Sequence, residues 1–106
     1  MDLLPGTLDL LILRALERGT AHGYGIALRL KQVSEEVLEV GESSLYPALQ
    51  RLLLRGWVVA EWGSSENNRR ARYYTLSARG RKQLARERAE YERMAGAIAK
   101  VLQWQE

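Results

Sequence analysis

From Thr7 to Arg18 the apolar residues Leu8, Leu11, Ile12, Ala15 and Leu16 recur at the spacing of one helical face, with Pro5 just ahead and Gly19 just past the end. The pattern predicts a first helix. Leu3, Leu4, Leu10 and Leu13 fall off that stripe, so the helix is apolar on a second side as well, which in a small domain points to self-association. After the short connection Thr20 to Gly23, the segment Tyr24 to Val33 sets Ile26, Leu30 and Val33 on one face with Arg29 and Lys31 off it, a second helix. A third follows the turn Val40-Gly41-Glu42. Leu45, Leu49, Leu52 and Leu53 form its inward stripe, and Ser43, Ser44, Tyr46, Pro47, Gln50, Arg51 and Leu54 face outward. Two starts fit. With Ser44 as N-cap, Pro47 lies in the first turn at no cost; with a start at Gly41, the proline lies inside and one intrahelical bond is lost. Gly56 ends the helix in either case.

Beyond Gly56 the period changes. Trp57 to Trp62 and Arg72 to Leu76 are aromatic and β-branched without helical spacing, and the eight residues from Gly63 to Arg70 between them are polar or turn-forming. This predicts a hairpin with a basic tip. Ser77 then caps a last helix to about Gln103, some 40 Å long at ~1.5 Å per residue, more than a domain of this size can cover. Along it Leu84, Arg88, Tyr91, Ala95, Ile98 and Leu102 alternate spacings of four and three, a coiled-coil seam widened by Met94 and Val101. Packing of this helix on its own domain is the alternative. The elements together make a mainly α fold with a small β-hairpin: a winged helix-turn-helix over residues 1–76, then a long C-terminal dimerisation helix over 77–106.

Composition narrows what such a chain can do. Its 106 residues form one domain, 46% apolar and 27% charged, without cysteine, which excludes disulfides and thiolate metal sites and fits a reducing, cytoplasmic setting. Apolar runs such as Leu10 to Leu13 are far short of the roughly 20 residues a membrane span needs, and the acidic, proline-bearing start does not read as an export signal. One histidine and two aspartates leave little for catalysis; His22, ahead of the second helix, reads as structural, and the adjacent Glu35 and Glu36 as a solvated helix end. The glycines from Gly19 to Gly25 lack a preceding strand and a phosphate-binding lysine. No enzyme, metal or cofactor is expected.

Charge points elsewhere. Residues 1–68 carry six basic against nine acidic side chains, net −3, whereas residues 69–106 carry ten against four, net +6, and 13 of the 16 basic residues are arginine. Arginine's planar fork suits phosphates and guanine edges, so duplex DNA is the first partner to consider. The outward face of the third helix fits that partner. Ser43 and Ser44 are small enough for close approach, Tyr46 is suited to the same face, Pro47 can meet a thymine methyl, and Gln50 and Arg51, taken to lie in the amino-terminal half, can reach base edges. Asn67, Asn68, Arg69 and Arg70 at the hairpin tip would lie on backbone or minor groove. Partly buried packing competes for Tyr46, and sheet or core packing is favoured for Arg72, Tyr73 and Tyr74.

Five segments, Leu4 to Leu16, His22 to Ile26, Ser44 to Leu53, Gly56 to Val59 and Arg72 to Gly80, resemble in order the PadR family of bacterial transcriptional regulators. The likeness runs from residue 3 to about 82, and the opening is similar to a short, acidobacterial-type branch; the family's longer branch carries a multi-helix C-terminal domain where this chain has one helix. The resemblance implies a homodimeric repressor reading an inverted-repeat operator, with DNA contacts falling on Ser43, Ser44, Tyr46, Pro47 and Arg51; Arg72 is a further DNA-binding candidate beside the wing. It also implies a dimer built by the last helix together with the first, which assigns Leu3, Leu4, Leu10, Leu84, Tyr91, Met94, Ala95, Ile98, Val101 and Leu102 to the interface. Glu42 departs from the proline common at that place and sets an acid near phosphates. Family members respond to aromatic effectors, which makes Trp104 and Tyr91, with Trp57 and Trp62, candidates for a ligand pocket. A protein-interaction module using the same fold without DNA is the competing reading.

Overall fold

The computed structural model describes residues 6–105, so Leu3 and Leu4 lie outside the described residues. In chain order the elements are α1 (Thr7–Glu17), β1 (Ala21–His22), α2 (Gly23–Val33), α3 (Glu42–Leu54), β2 (Val58–Ser64), β3 (Arg70–Leu76) and α4 (Ala78–Leu102). The strands form one antiparallel sheet in the order β1-β3-β2. This is the mainly helical, winged architecture that the periodicities predict, with β1 as an addition. Two residues are too short for any periodicity; Ala21 and His22 become a strand only because Tyr74 and Tyr73 stand opposite them.

α1 is the centre of the core. It meets α2, α3, β3 and α4, and Ile12 and Leu13 are both fully buried. Of the second apolar side of this helix, Leu13 is thus a core residue rather than a sign of self-association. Leu10 is half-buried and packs against the core edge. At the end of α1, Arg29 of α2 donates to the carbonyls of Ala15 (3.0 Å), Gly19 (2.7 Å) and Thr20 (3.2 Å), a cation set on the negative end of the helix.

The open question about α3 resolves in favour of the earlier start. Gly41 is the N-cap, its carbonyl accepts from the Ser44 and Leu45 amides, and Pro47 lies inside the helix. The Ser43 carbonyl that Pro47 cannot serve stands among exposed residues, on the solvent side of the helix. Gly56, at φ +75°, closes α3: its amide reaches the Leu53 carbonyl at 3.0 Å and the Trp57 amide reaches that of Leu52 at 3.0 Å, a Schellman motif.

α4 begins as the sequence predicts, with the Ser77 hydroxyl accepting from the Gly80 amide at 3.0 Å. Ser77 also ties the helix to the start of β2, its amide donating to the Trp57 carbonyl (3.0 Å) and its hydroxyl to the Gly56 carbonyl (2.7 Å). Close approach requires Gly80, because a Cβ there would stand 1.9 Å from the Trp57 carbonyl oxygen. Leu84, one turn on, is buried in the core at 2% exposure and leaves no surface for a partner, which removes it from the seam. Beyond Glu87 every residue of the helix except Ala95 is exposed, and the molecule measures 60 × 29 × 22 Å with a radius of gyration of 15.4 Å, against about 13 Å for a compact domain of this length.

Candidate nucleic-acid interface

The inward side of α3 is fixed by Leu45, Ala48, Leu49 and Leu52, all buried, which leaves Ser43, Ser44, Tyr46, Pro47 and Gln50 exposed on the opposite side. Small polar groups therefore stand at the leading end of the helix with Gly41 offering no side-chain cap. Tyr46 leans toward α2. A Cβ at Gly23 would lie 2.7 Å from the Tyr46 hydroxyl, so the glycine makes room for the ring. His22 caps α2 by accepting from the Gly25 amide at 3.0 Å, the structural role expected of it.

Two expectations for Arg51 change. Because α3 starts at Glu42, Gln50 and Arg51 lie in its second half, not its amino-terminal half. The Arg51 guanidinium is also engaged, donating at 2.8 Å to Asp9 Oδ1 of α1; Asp9 is only 6% exposed and needs that partner. Arg51 thus fastens α3 to α1 while its side chain stays 48% exposed, and Gln50 beside it is exposed as well.

The wing supplies the charge. Its tip turns over Ser65 to Arg69, with Asn68 left-handed at φ +56° and the Ser65 amide donating to the Arg69 carbonyl at 2.7 Å. Asn67, Asn68 and Arg69 are exposed there, whereas Arg70 belongs to β3, opposite Ser64. Arg72 pairs across the sheet with Trp62 and is exposed; its neighbour Tyr74 is buried, as core packing predicts. Burial pushes the Tyr74 hydroxyl above its ordinary value against the opposing influence of Arg72, which keeps the phenol neutral. Between the wing, the start of α2 and Tyr46 opens a cleft of about 900 Å³ lined by His22, Tyr24, Trp62, Arg70 and Arg72 among others. The sequence reading missed the proximity of Trp62 to these arginines; the signal was the position of all three on one face of the alternating hairpin.

On α4, Tyr91, Met94, Ile98, Val101 and Leu102 form an exposed apolar stripe around the half-buried Ala95. Trp104 is exposed beyond it. Tyr91 and Trp104 are separated by about 20 Å along the axis at ~1.5 Å per residue, and Trp57 and Trp62 lie at the sheet, so one chain does not gather these rings into one pocket. At the α1, α3 and α4 junction one Glu87 carboxyl oxygen is buried without a partner, and burial, reinforced by Asp9, raises its pKa against Gln83 and Arg55. Among the described residues there is no cluster of metal-ligating side chains and no helix long and apolar enough to cross a membrane.

Comparison with known proteins places this geometry. The model of the transcriptional regulator PadR-like family matches residues 12–86. A transcriptional regulator from Clostridium thermocellum is similar at a TM-score of 0.81 and 29% identity, over 90% of this chain and 92% of its own. A PadR family regulator from hypervirulent Clostridium difficile superposes at 0.76 with 27% identity, over 92% and 99%. Bacillus subtilis PadR, solved in complex with operator DNA, superposes at 0.66 with 25% identity, over 74% of this chain and 46% of its own.

Proposed function

Since the chain belongs to the PadR-like family of transcriptional regulators, we propose that it acts as a homodimeric repressor whose two copies of α3 read an inverted-repeat operator. The observation that carries the dimer is the stripe from Tyr91 to Leu102, more apolar surface than a lone helix keeps in water. A two-fold axis through that stripe presents α3 and the wing twice, which is what an inverted repeat requires. Ser43, Ser44 and Pro47 approach the groove, Gln50 reads a base, and Asn67, Asn68, Arg69, Arg70 and Arg72 hold backbone. Tyr46 walls the cleft in this reading. The likeness to a regulator solved on its operator supports the proposal. An aromatic effector would have to lie between protomers, since only a second copy can bring Tyr91 and Trp104 of different chains together.

Titration on operator and scrambled duplex over a salt series tests this. Gln50→Ala should cost about 1–3 kcal/mol on operator and little on scrambled DNA, because a lost base contact removes discrimination. Arg69→Ala with Arg70→Ala should weaken both and flatten the salt slope by about one or two units, because lost phosphate contacts remove counterion release. A wild type that ignores both duplexes would favour the protein-interaction module.

A further inference from the structure

Trp62 is 59% exposed, an unusual place for the largest apolar side chain in a small domain. It sits on β2 beyond the core, and strand alternation puts it on the same sheet face as the buried Val58. Directly across is Arg72, and diagonally beyond is Arg70, opposite Ser64. The Arg70 guanidinium lies 4.3 Å from the indole centroid and that of Arg72 5.9 Å, both within reach of a cation–π attraction. Neither arginine forms an ion pair with a carboxylate among the described residues. All three line the cleft that the wing shares with α2 and Tyr46.

We infer that Trp62 is a positioning residue for DNA binding, holding Arg70 and Arg72 ready for phosphates without itself touching the duplex. The chemistry permits both contacts at once. A guanidinium attracts the indole through its flat face, whereas it grips a phosphate through the N–H groups on its rim. A free arginine has many rotamers to lose on binding; one already stacked on the ring has lost part of that freedom during folding. The inference rests on the DNA-binding reading above and adds a residue that carries no charge to it.

The test combines affinity, salt slope and a thermodynamic cycle on scrambled duplex. Trp62→Ala should weaken binding about five- to thirtyfold with an unchanged salt slope, since every cation remains. Trp62→Tyr, which keeps an aromatic face, should recover most of the loss. In an Arg70→Ala, Arg72→Ala background Trp62→Ala should cost nothing further. A comparable cost in that background would mean that Trp62 touches DNA itself and overturns the inference, as would full affinity in Trp62→Ala. Without DNA, the Arg70 and Arg72 Nε–H resonances should lose their ring-current shift in Trp62→Leu, whose fold is checked by its thermal melt. A wild type with no salt-dependent duplex affinity would overturn the regulator reading, and with it the role of the stack; failure of the Trp62 variants alone leaves the regulator reading standing.

Discussion

Replacing Gly80 by alanine sets two physical effects against each other. In a helix interior alanine is favoured over glycine by about 1 kcal/mol, so propensity alone predicts a more stable protein. The structure predicts the reverse. The new Cβ would lie 1.9 Å from the Trp57 carbonyl oxygen and 2.7 Å from Leu76 Cδ1, whereas ordinary contact begins at 3.4 Å. The oxygen belongs to backbone and cannot swing aside, so the start of α4 must retreat by roughly 1.5 Å. That retreat breaks the two bonds that anchor Ser77 to Trp57 and Gly56, each worth about 1 kcal/mol, and adds an overpacking strain of about 1–3 kcal/mol. After subtracting the propensity gain the expected loss is about 2–4 kcal/mol, or a Tm lower by about 10–30 °C. Circular-dichroism melts at one fixed protomer concentration measure it, with Gly96→Ala as control, since nothing stands within 4 Å of a Cβ at Gly96. The control should gain about 0.5–1 kcal/mol. A Gly80→Ala protein melting at or above wild type would refute the argument that close packing governs this position.

Sedimentation of wild type at micromolar concentration should give twice the chain mass of 12.1 kDa, and Ile98→Glu with Leu102→Glu should give monomers that keep their helical signal, because both positions are exposed in the single chain. A folded double variant that stays dimeric would dispose of the stripe as the interface. Glu87 carries a pH prediction: with its folded pKa raised, the native state holds its proton more tightly than the unfolded chain, so stability is lost as pH rises from the ordinary carboxylate range through the folded value. Glu87→Gln should therefore melt higher than wild type at neutral pH, with the difference vanishing below the ordinary glutamate pKa; an equal melting curve at neutral pH would show that the buried oxygen costs nothing.

Most of the architecture could be read along the chain because its signals are local. The leucine stripe of α3, the glycine that ends it and the Ser77 cap of α4 each involve residues within a few positions of one another, where helical geometry alone decides which side chains meet. The outward set of α3 follows from the same spacing, and so did the placement of the basic wing. What the chain could not reveal depends on residues far apart in sequence being brought within a few ångströms. Arg51 had every attribute of a base reader until folding set it against Asp9, 42 residues away. Leu84 matched the seam period, yet it points into the core because Gly80 lets the start of α4 close on Trp57 while the helix packs on α1. Ala21 and His22 became a strand only through Tyr74 and Tyr73, and Trp62 acquired its arginines only through the hairpin register. Periodicity tells which face a residue occupies; what waits on the other side of that face is decided when the elements pack, since contact energies act over a few ångströms and the intervening chain length does not enter them.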